Sequence, residues 1–178
     1  MRARRSVVAV GAAVVAAVVA GCAPQPGTVA EIDGRTISEA DLDRVTDELG
    51  PFLNDASRGA VLTALVQSQA GLELGELNDV EVSEERAAEF LTSLAKNSGV
   101  DATEWSEGSL TIARMQLLGG ELAQLPDAEA TTAQFQQILA DLDVTVSPRY
   151  GEYDPATGEI VALQPDWIVD PAAAEPAE

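Results

Sequence analysis

The sequence has 178 residues, a formal net charge of −20 and no histidine. This length fits one main domain, and so acidic a chain is a poor ligand for nucleic-acid phosphates or anionic lipid. The absence of His excludes His-dependent catalytic triads and most zinc sites. It also removes the residue that most often serves as a general base.

The N-terminus has the layout of a secretory signal. Arg2, Arg4 and Arg5 form a basic region, and an apolar run of Val, Ala and Gly follows from Val7 to Ala20. This run is shorter than the ~20 apolar residues that cross a bilayer. A lone transmembrane helix is therefore the weaker interpretation.

The stretch Val19-Ala20-Gly21-Cys22 resembles the lipobox of bacterial lipoproteins. The resemblance implies that residues 1–21 are a signal peptide, cut between Gly21 and Cys22, and that Cys22 carries lipid. Two or more acyl chains anchor stably, because each buried CH₂ contributes ~0.8 kcal/mol. We therefore expect a lipid anchor on the extracytoplasmic face of the cell membrane. An ordinary secreted protein with a chance Cys is the alternative.

Composition divides the rest of the chain into three parts. Residues 22–27 contain two Pro and a Gly and read as a lipidated tether. Residues 28–168 carry the apolar periodicity of a folded domain. Residues 169–178 consist mostly of Pro, Ala and Glu, which predicts a disordered tail.

The domain begins with a predicted strand–turn–strand over Thr28–Ile37, because Asp33-Gly34 suits a two-residue hairpin turn. Ser38 is the predicted N-cap of a first helix, with Asp41 completing a capping box. This helix runs to Leu49. Its apolar face carries Leu42, Val45 and Leu49, and Gly50-Pro51 ends it.

Four further helices are predicted. The second runs from Asp55 to Leu74, with Gly71 and Gly75 weakening its end. Ser83 caps the third, which closes at Asn97-Ser98-Gly99. The fourth spans Asp101–Leu125, with Gly108 and Gly119-Gly120 as candidate breaks or bends, and Asp127 caps the fifth.

The C-terminal pattern indicates strands. Val144–Val146 alternates, Asp154–Gly158 has the composition of a turn, and Ile160–Leu163 is a short strand or a loop edge. The predicted fold is mostly α with a small β element. In it, the N-terminal hairpin pairs with Val144–Val146.

Carboxylates are the one plentiful chemical group. Two acidic sets lie on single helix faces: Asp41, Asp43 and Asp47, and Glu81, Glu84, Glu85 and Glu89. A glycosidase needs two carboxylates facing each other across a cleft, and the EF-hand spacing is missing. We interpret both sets as solvated surface and predict no catalytic residue, no metal site and no cofactor.

The aromatic residues divide into two groups. Phe90 and Phe135 lie in apolar helical stripes and are expected in the core. The others lie near predicted ends or loops, where they either pack against the domain edge or contact a partner: Trp105, Tyr150, Tyr153 and Trp167.

The segments Val29–Leu42 and Val144–Asp154 resemble the start and end of SurA-type chaperone domains in bacterial lipoproteins, and the resemblance covers Thr28 to Trp167. Their relatives in the PrsA and trigger-factor group bind unfolded chains in apolar clefts on a helical body. Many also carry a parvulin prolyl-isomerase domain. Here there is no room for it after Val146, and its typical His residues are absent.

The resemblance implies a membrane-anchored binder of unfolded or newly exported polypeptides, with chaperone-like activity and no isomerase. No client-binding residue is carried over from the family. One alternative is a dedicated binding or scaffold lipoprotein for a single cell-envelope partner. The other is an enzyme, either a residual prolyl isomerase or an acid-based hydrolase.

Overall fold

The computed structural model describes residues 27–53 and 56–163. The predicted signal peptide, Cys22, Trp167 and the predicted tail lie outside the described residues. The described part is mostly helical with small antiparallel sheets, as the sequence predicts.

Five α-helices and five strands form the described part. The helices are α1 Glu39–Leu49, α2 Arg58–Leu77, α3 Glu84–Asn97, α4 Glu107–Leu122 and α5 Ala128–Asp141. The strands are β1 Thr28–Ile32, β2 Arg35–Ser38, β3 Val144–Val146, β4 Glu152–Asp154 and β5 Glu159–Val161.

The N-terminal hairpin forms as predicted. Asp33 and Gly34 both have positive φ, at 47° and 77°, which is the geometry that a two-residue turn requires. Ser38 and Asp41 exchange both bonds of a capping box, which starts α1. Leu42, Val45 and Leu49 are all buried, so the predicted apolar face of α1 is confirmed.

The predicted pairing of the two ends of the domain is also confirmed. β3 pairs antiparallel with β1, with Ile32 opposite Val144 and Ala30 opposite Val146. The strand order is β2–β1–β3, so β2 is an edge strand of this sheet among the described residues. β4 and β5 form a separate antiparallel hairpin around the predicted turn, and β4 is a strand that the sequence analysis missed.

Helix α2 is the central element, packing against α1, α4, α5 and β5. One apolar cluster lies between the sheet, α1, α3 and the first halves of α2 and α4. A second joins the later halves of α2 and α4 to α5. Phe90 and Phe135 are half-buried against the first and second cluster respectively, in line with their predicted core position.

Several predicted boundaries were wrong. The predicted start of α2 at Asp55 lies outside the described residues, and the helix begins at Arg58 after its cap Ser57. It also continues three residues past the predicted end, to Leu77. The helix continues through Gly71 and Gly75, where the absence of a side chain leaves room for Met115 and Leu118 of α4.

The start of α4 was placed too early and its end too late. Residues 101–105 are not helical, and Ser106 caps a helix that ends at Leu122. Gly108 and Gly119-Gly120 do not break it. The predicted end of α1 at Leu49, before Gly50-Pro51, is confirmed, and a short 3₁₀ turn, Gly50–Phe52, follows it.

Candidate functional site: an apolar cleft beside a free strand edge

An open cleft of about 320 Å³ lies between the β1–β2 hairpin, α1, α2 and the N-terminus of α4. We call it the hairpin cleft. It forms because β2 leads directly into α1 through Ser38, while α4 approaches α1 at Gly108. A Cβ on residue 108 would lie 2.5 Å from Val45 Cγ2, so only Gly allows this approach without a shift.

The floor of the hairpin cleft is apolar. Ile32 and Ile37 reach it from the hairpin, Val45 from α1 and Leu65 from α2. Ile32, Val45 and Leu65 are buried, and Ile37 is half-buried against the same core cluster. A ligand that enters the cleft therefore meets the edge of the hydrophobic core, where apolar surface is removed from water.

The rim of the hairpin cleft carries two cations and two anions. Arg35 Nη1 lies 3.9 Å from Glu107 Oε1, and both side chains are largely exposed. Arg44 is exposed and has no ion pair within the described part of the chain. Asp41 is already engaged by its capping bonds with Ser38. The two arginines are thus the groups most available to an incoming anion.

One wall of the hairpin cleft is held by a carboxylate from α1. Glu48 Oε2 accepts hydrogen bonds from Ser106 N at 2.9 Å, Ser106 Oγ at 2.7 Å and Ser109 Oγ at 2.6 Å. Ser109 is fully buried, so Glu48 satisfies a hydroxyl that has no access to water. The same bonds place a negative charge at the N-terminus of α4, which the helix dipole favours.

A second polar cluster lies where the C-terminal segment meets α1 and α2. We call it the Glu39 cluster, and it consists of Glu39, Arg58, Arg149 and Tyr150. Tyr150 donates to Glu39 Oε2 at 2.5 Å, and both arginines form close ion pairs with the same carboxylate. Both guanidinium groups also lie over the Tyr150 ring, at 5.4 and 5.8 Å from its centroid.

These contacts shift two pKa values in opposite directions. The hydrogen bond from Tyr150 is the main cause that lowers the pKa of Glu39, with Arg149 and Arg58 adding to it against partial desolvation. Burial, followed by the bond to Glu39, raises the pKa of Tyr150. Both shifts favour the charged carboxylate and the neutral phenol, which is the pairing that the geometry requires.

The aromatic residues in predicted ends or loops pack against the domain wherever they are described. Trp105 Nε1 donates to Thr92 Oγ1 at 3.1 Å, and the Tyr153 hydroxyl donates to the Leu139 carbonyl at 2.7 Å. Together with Tyr150, they use their polar atoms within the molecule. The packing interpretation is therefore correct for Trp105, Tyr150 and Tyr153.

The acidic sets singled out from the sequence are exposed, as expected for solvated surface: Asp41, Asp43, Asp47, Glu81, Glu84, Glu85 and Glu89. Among the described residues, no group of three or more Asp, Glu, Cys or His side chains is arranged to hold a metal ion. Within residues 27–53 and 56–163, every helix is too short or too polar to traverse a bilayer.

The hairpin cleft is not evident from the sequence, because its lining comes from four separate segments. The one local feature that pointed to it was Gly108, which we had interpreted as a candidate break in α4. The structure places this glycine at a close helix contact on the cleft wall.

Comparison with family models, curated proteins and solved structures found no match to this chain.

Proposed function

We propose that this protein is a lipid-anchored extracytoplasmic chaperone that binds unfolded or newly exported polypeptides through a SurA-type domain. The observation that carries the proposal is the hairpin cleft, an opening in the helical body with a floor of core apolar residues. Unfolded chains expose apolar side chains, and such a cleft removes them from water.

Three further features support the proposal. The sequence begins with the layout of an export signal and a lipobox. The hairpin, capped helix and helical body follow the order that the resemblance to SurA-type domains implies. The pairing of β3 with β1 brings the two ends of the helical domain together.

The test is light scattering during refolding of an aggregation-prone client, with the full chain purified in detergent and added at increasing ratio. The proposal predicts suppression of scattering near stoichiometric amounts. An equally acidic protein of similar size, in the same detergent, is the control for charge effects. Absence of suppression at large excess contradicts the proposal.

The anchor has its own test, since it rests on Cys22 alone. Cells that express the full chain are fed radiolabelled palmitate, and the protein is recovered from membranes. We expect label on the wild-type chain and none on Cys22→Ser, which keeps a similar side-chain size. Label on Cys22→Ser contradicts lipid attachment at this residue.

A dedicated envelope partner is the second candidate function. A groove between α2 and α5 is lined by Asp33, Glu73 and Asp141 beside Leu77, which is 62% exposed. An exposed leucine among carboxylates fits one basic amphipathic partner better than a range of clients. Crosslinking in intact membranes separates the two functions, because a single stoichiometric partner favours the second.

A further inference from the structure

We propose that the hairpin cleft binds its client as an extended strand, added to the free edge of β2, with an apolar side chain in the cleft and a carboxylate beside Arg35 and Arg44. This inference rests on the proposed function and specifies its binding mode. It depends on three properties of the cleft: an unpaired strand edge, an apolar floor on the correct face, and arginines that lack close partners.

The strand edge is set by the register of the hairpin. Ile32 and Arg35 close the two-residue turn and form a hydrogen-bonded pair, so the next residue, Thr36, lies in a pair that is not hydrogen-bonded. The N–H and C=O of Thr36 therefore point away from β1. Thr36 is exposed and β2 is the edge strand, so both groups are available to a further strand.

The face of the sheet sets where the side chains of such a strand point. Arg35 and Ile37 lie on the same face of β2 as Ile32 of β1, which is the face that lines the cleft. Side chains alternate along a strand, and the next strand lies about 4.8 Å away. Every second side chain of an added strand therefore points toward the cleft floor formed by Val45 and Leu65.

Charge complementarity indicates that the bound strand carries a carboxylate next to its apolar side chain. Three arginines of the described part of the chain form close ion pairs: Arg58, Arg86 and Arg149. Arg35 reaches its carboxylate only at 3.9 Å, and Arg44 has no ion pair within the described residues. In a chain of net charge −20, these two arginines lie together on one cleft rim and can attract a carboxylate there.

The probe is a short fluorescein-labelled synthetic peptide in which Thr and Leu alternate and one Leu is replaced by Glu, so that the carboxylate lies on the same face as the remaining Leu side chains. Its affinity for the full chain in detergent is measured by fluorescence anisotropy. The control peptide has the same sequence with every backbone amide methylated, so that neither edge of the strand can donate hydrogen bonds. Methylation removes edge hydrogen bonds and keeps the side chains, so we expect it to weaken binding by roughly tenfold or more.

Two variants at one position test the strand edge from the side of the protein. Thr36→Pro removes the outward N–H, at an edge position where proline is tolerated, and should weaken binding by roughly tenfold. Thr36→Val keeps the N–H and should bind like wild type. Circular dichroism and the Tm establish that both variants fold.

The outcomes separate the binding mode from the function. Loss of binding with the methylated peptide and with Thr36→Pro, but not with Thr36→Val, supports strand addition. Equal affinity for the methylated and unmethylated peptides overturns strand addition while leaving polypeptide binding in place. No binding of either peptide by wild type, together with no suppression of client aggregation, overturns the proposed function itself.

Discussion

The hairpin cleft and the Glu39 cluster each hold two arginines near the junction of the hairpin with the helices, and they differ in what those arginines contact. In the Glu39 cluster, Arg58 and Arg149 share one carboxylate with the Tyr150 hydroxyl. In the hairpin cleft, Arg35 forms only a long ion pair with Glu107, at 3.9 Å, and Arg44 forms none within the described residues.

The difference separates a structural role from a binding role for the same residue type. The Glu39 cluster joins the C-terminal segment to α1 and α2, so its groups satisfy one another and stabilise the closed fold. The hairpin cleft leaves Arg35 and Arg44 exposed above a floor in which Ile37 is half-buried, and such an arrangement is expected where a partner binds. Substitutions in the two regions should therefore have different effects.

The largest expected effect on the free energy of unfolding comes from a substitution in the backbone next to the Glu39 cluster. Gly151 follows Tyr150 and has a φ of 130°, and a Cβ there would overlap the Val161 carbonyl oxygen. We expect Gly151→Ala to lower the free energy of unfolding by about 3 kcal/mol, measured by urea denaturation.

Gly119→Ala is the matched control, because a Cβ at this helical position meets nothing within 4 Å. It should raise the stability by up to about 1 kcal/mol. Equal effects of the two substitutions would contradict the strain assigned to Gly151.

The next effect concerns the wall of the hairpin cleft. Glu48→Ala removes the acceptor of three hydrogen bonds and leaves the buried Ser109 hydroxyl without it. The expected loss is about 2 kcal/mol in urea denaturation. Glu48→Gln keeps an acceptor oxygen and should lose less; an equal loss would mean that the charge, rather than the bonds, stabilises α4.

A smaller effect is expected inside the Glu39 cluster. Tyr150→Phe deletes the donor that is the main cause lowering the pKa of Glu39, and we expect a fall in Tm of roughly 3 °C. Because the folded-state pKa lies below the usual 4.5, Glu39 contributes stability above that pH and loses it as the pH falls.

The acid limb of the stability curve distinguishes this account from a simple packing defect. Wild type should lose part of its stability as the pH drops from 4.5 through the lowered pKa of Glu39. The Tyr150→Phe variant should lose less stability over the same pH range, because without the hydrogen bond the pKa of Glu39 is lowered less. Parallel curves for the two proteins would show that the hydrogen bond does not lower the pKa of Glu39.

The smallest effect on stability is expected at the cleft rim. Arg44→Gln should change the free energy of unfolding by less than about 0.5 kcal/mol, because the exposed arginine has no ion pair within the described residues. It should weaken binding of the Glu-containing probe peptide roughly threefold at low salt. A peptide with Gln in place of that Glu should bind both proteins alike, and a common loss for both peptides would rule out a charge contact.

The parts of the fold that could be predicted from the sequence depend on short segments. The Asp33-Gly34 turn, the Ser38 capping box and the Asp127 cap each need only neighbouring residues. The contact between β1 and β3 spans the whole domain, yet it followed from alternation in two short segments and from their place at its two ends.

The errors arose where distant residues determine the local structure. Helix α4 begins after Ser106, because the backbone N–H and the hydroxyl of Ser106 both donate to Glu48 of α1. Gly71 and Gly75 looked unfavourable for a helix until their contacts with α4 were known. The hairpin cleft could not be predicted for the same reason, since four segments must come together before it exists.

The most direct test of the account combines the refolding assay with one substitution in the cleft. Ile37→Gln places a polar side chain on the cleft floor, and Val161→Gln makes the same change at an exposed residue outside the cleft lining. We predict that wild type and Val161→Gln suppress client scattering to the same extent, while Ile37→Gln, confirmed as folded by its Tm, suppresses it weakly. Equal suppression by all three proteins would contradict client binding in the hairpin cleft.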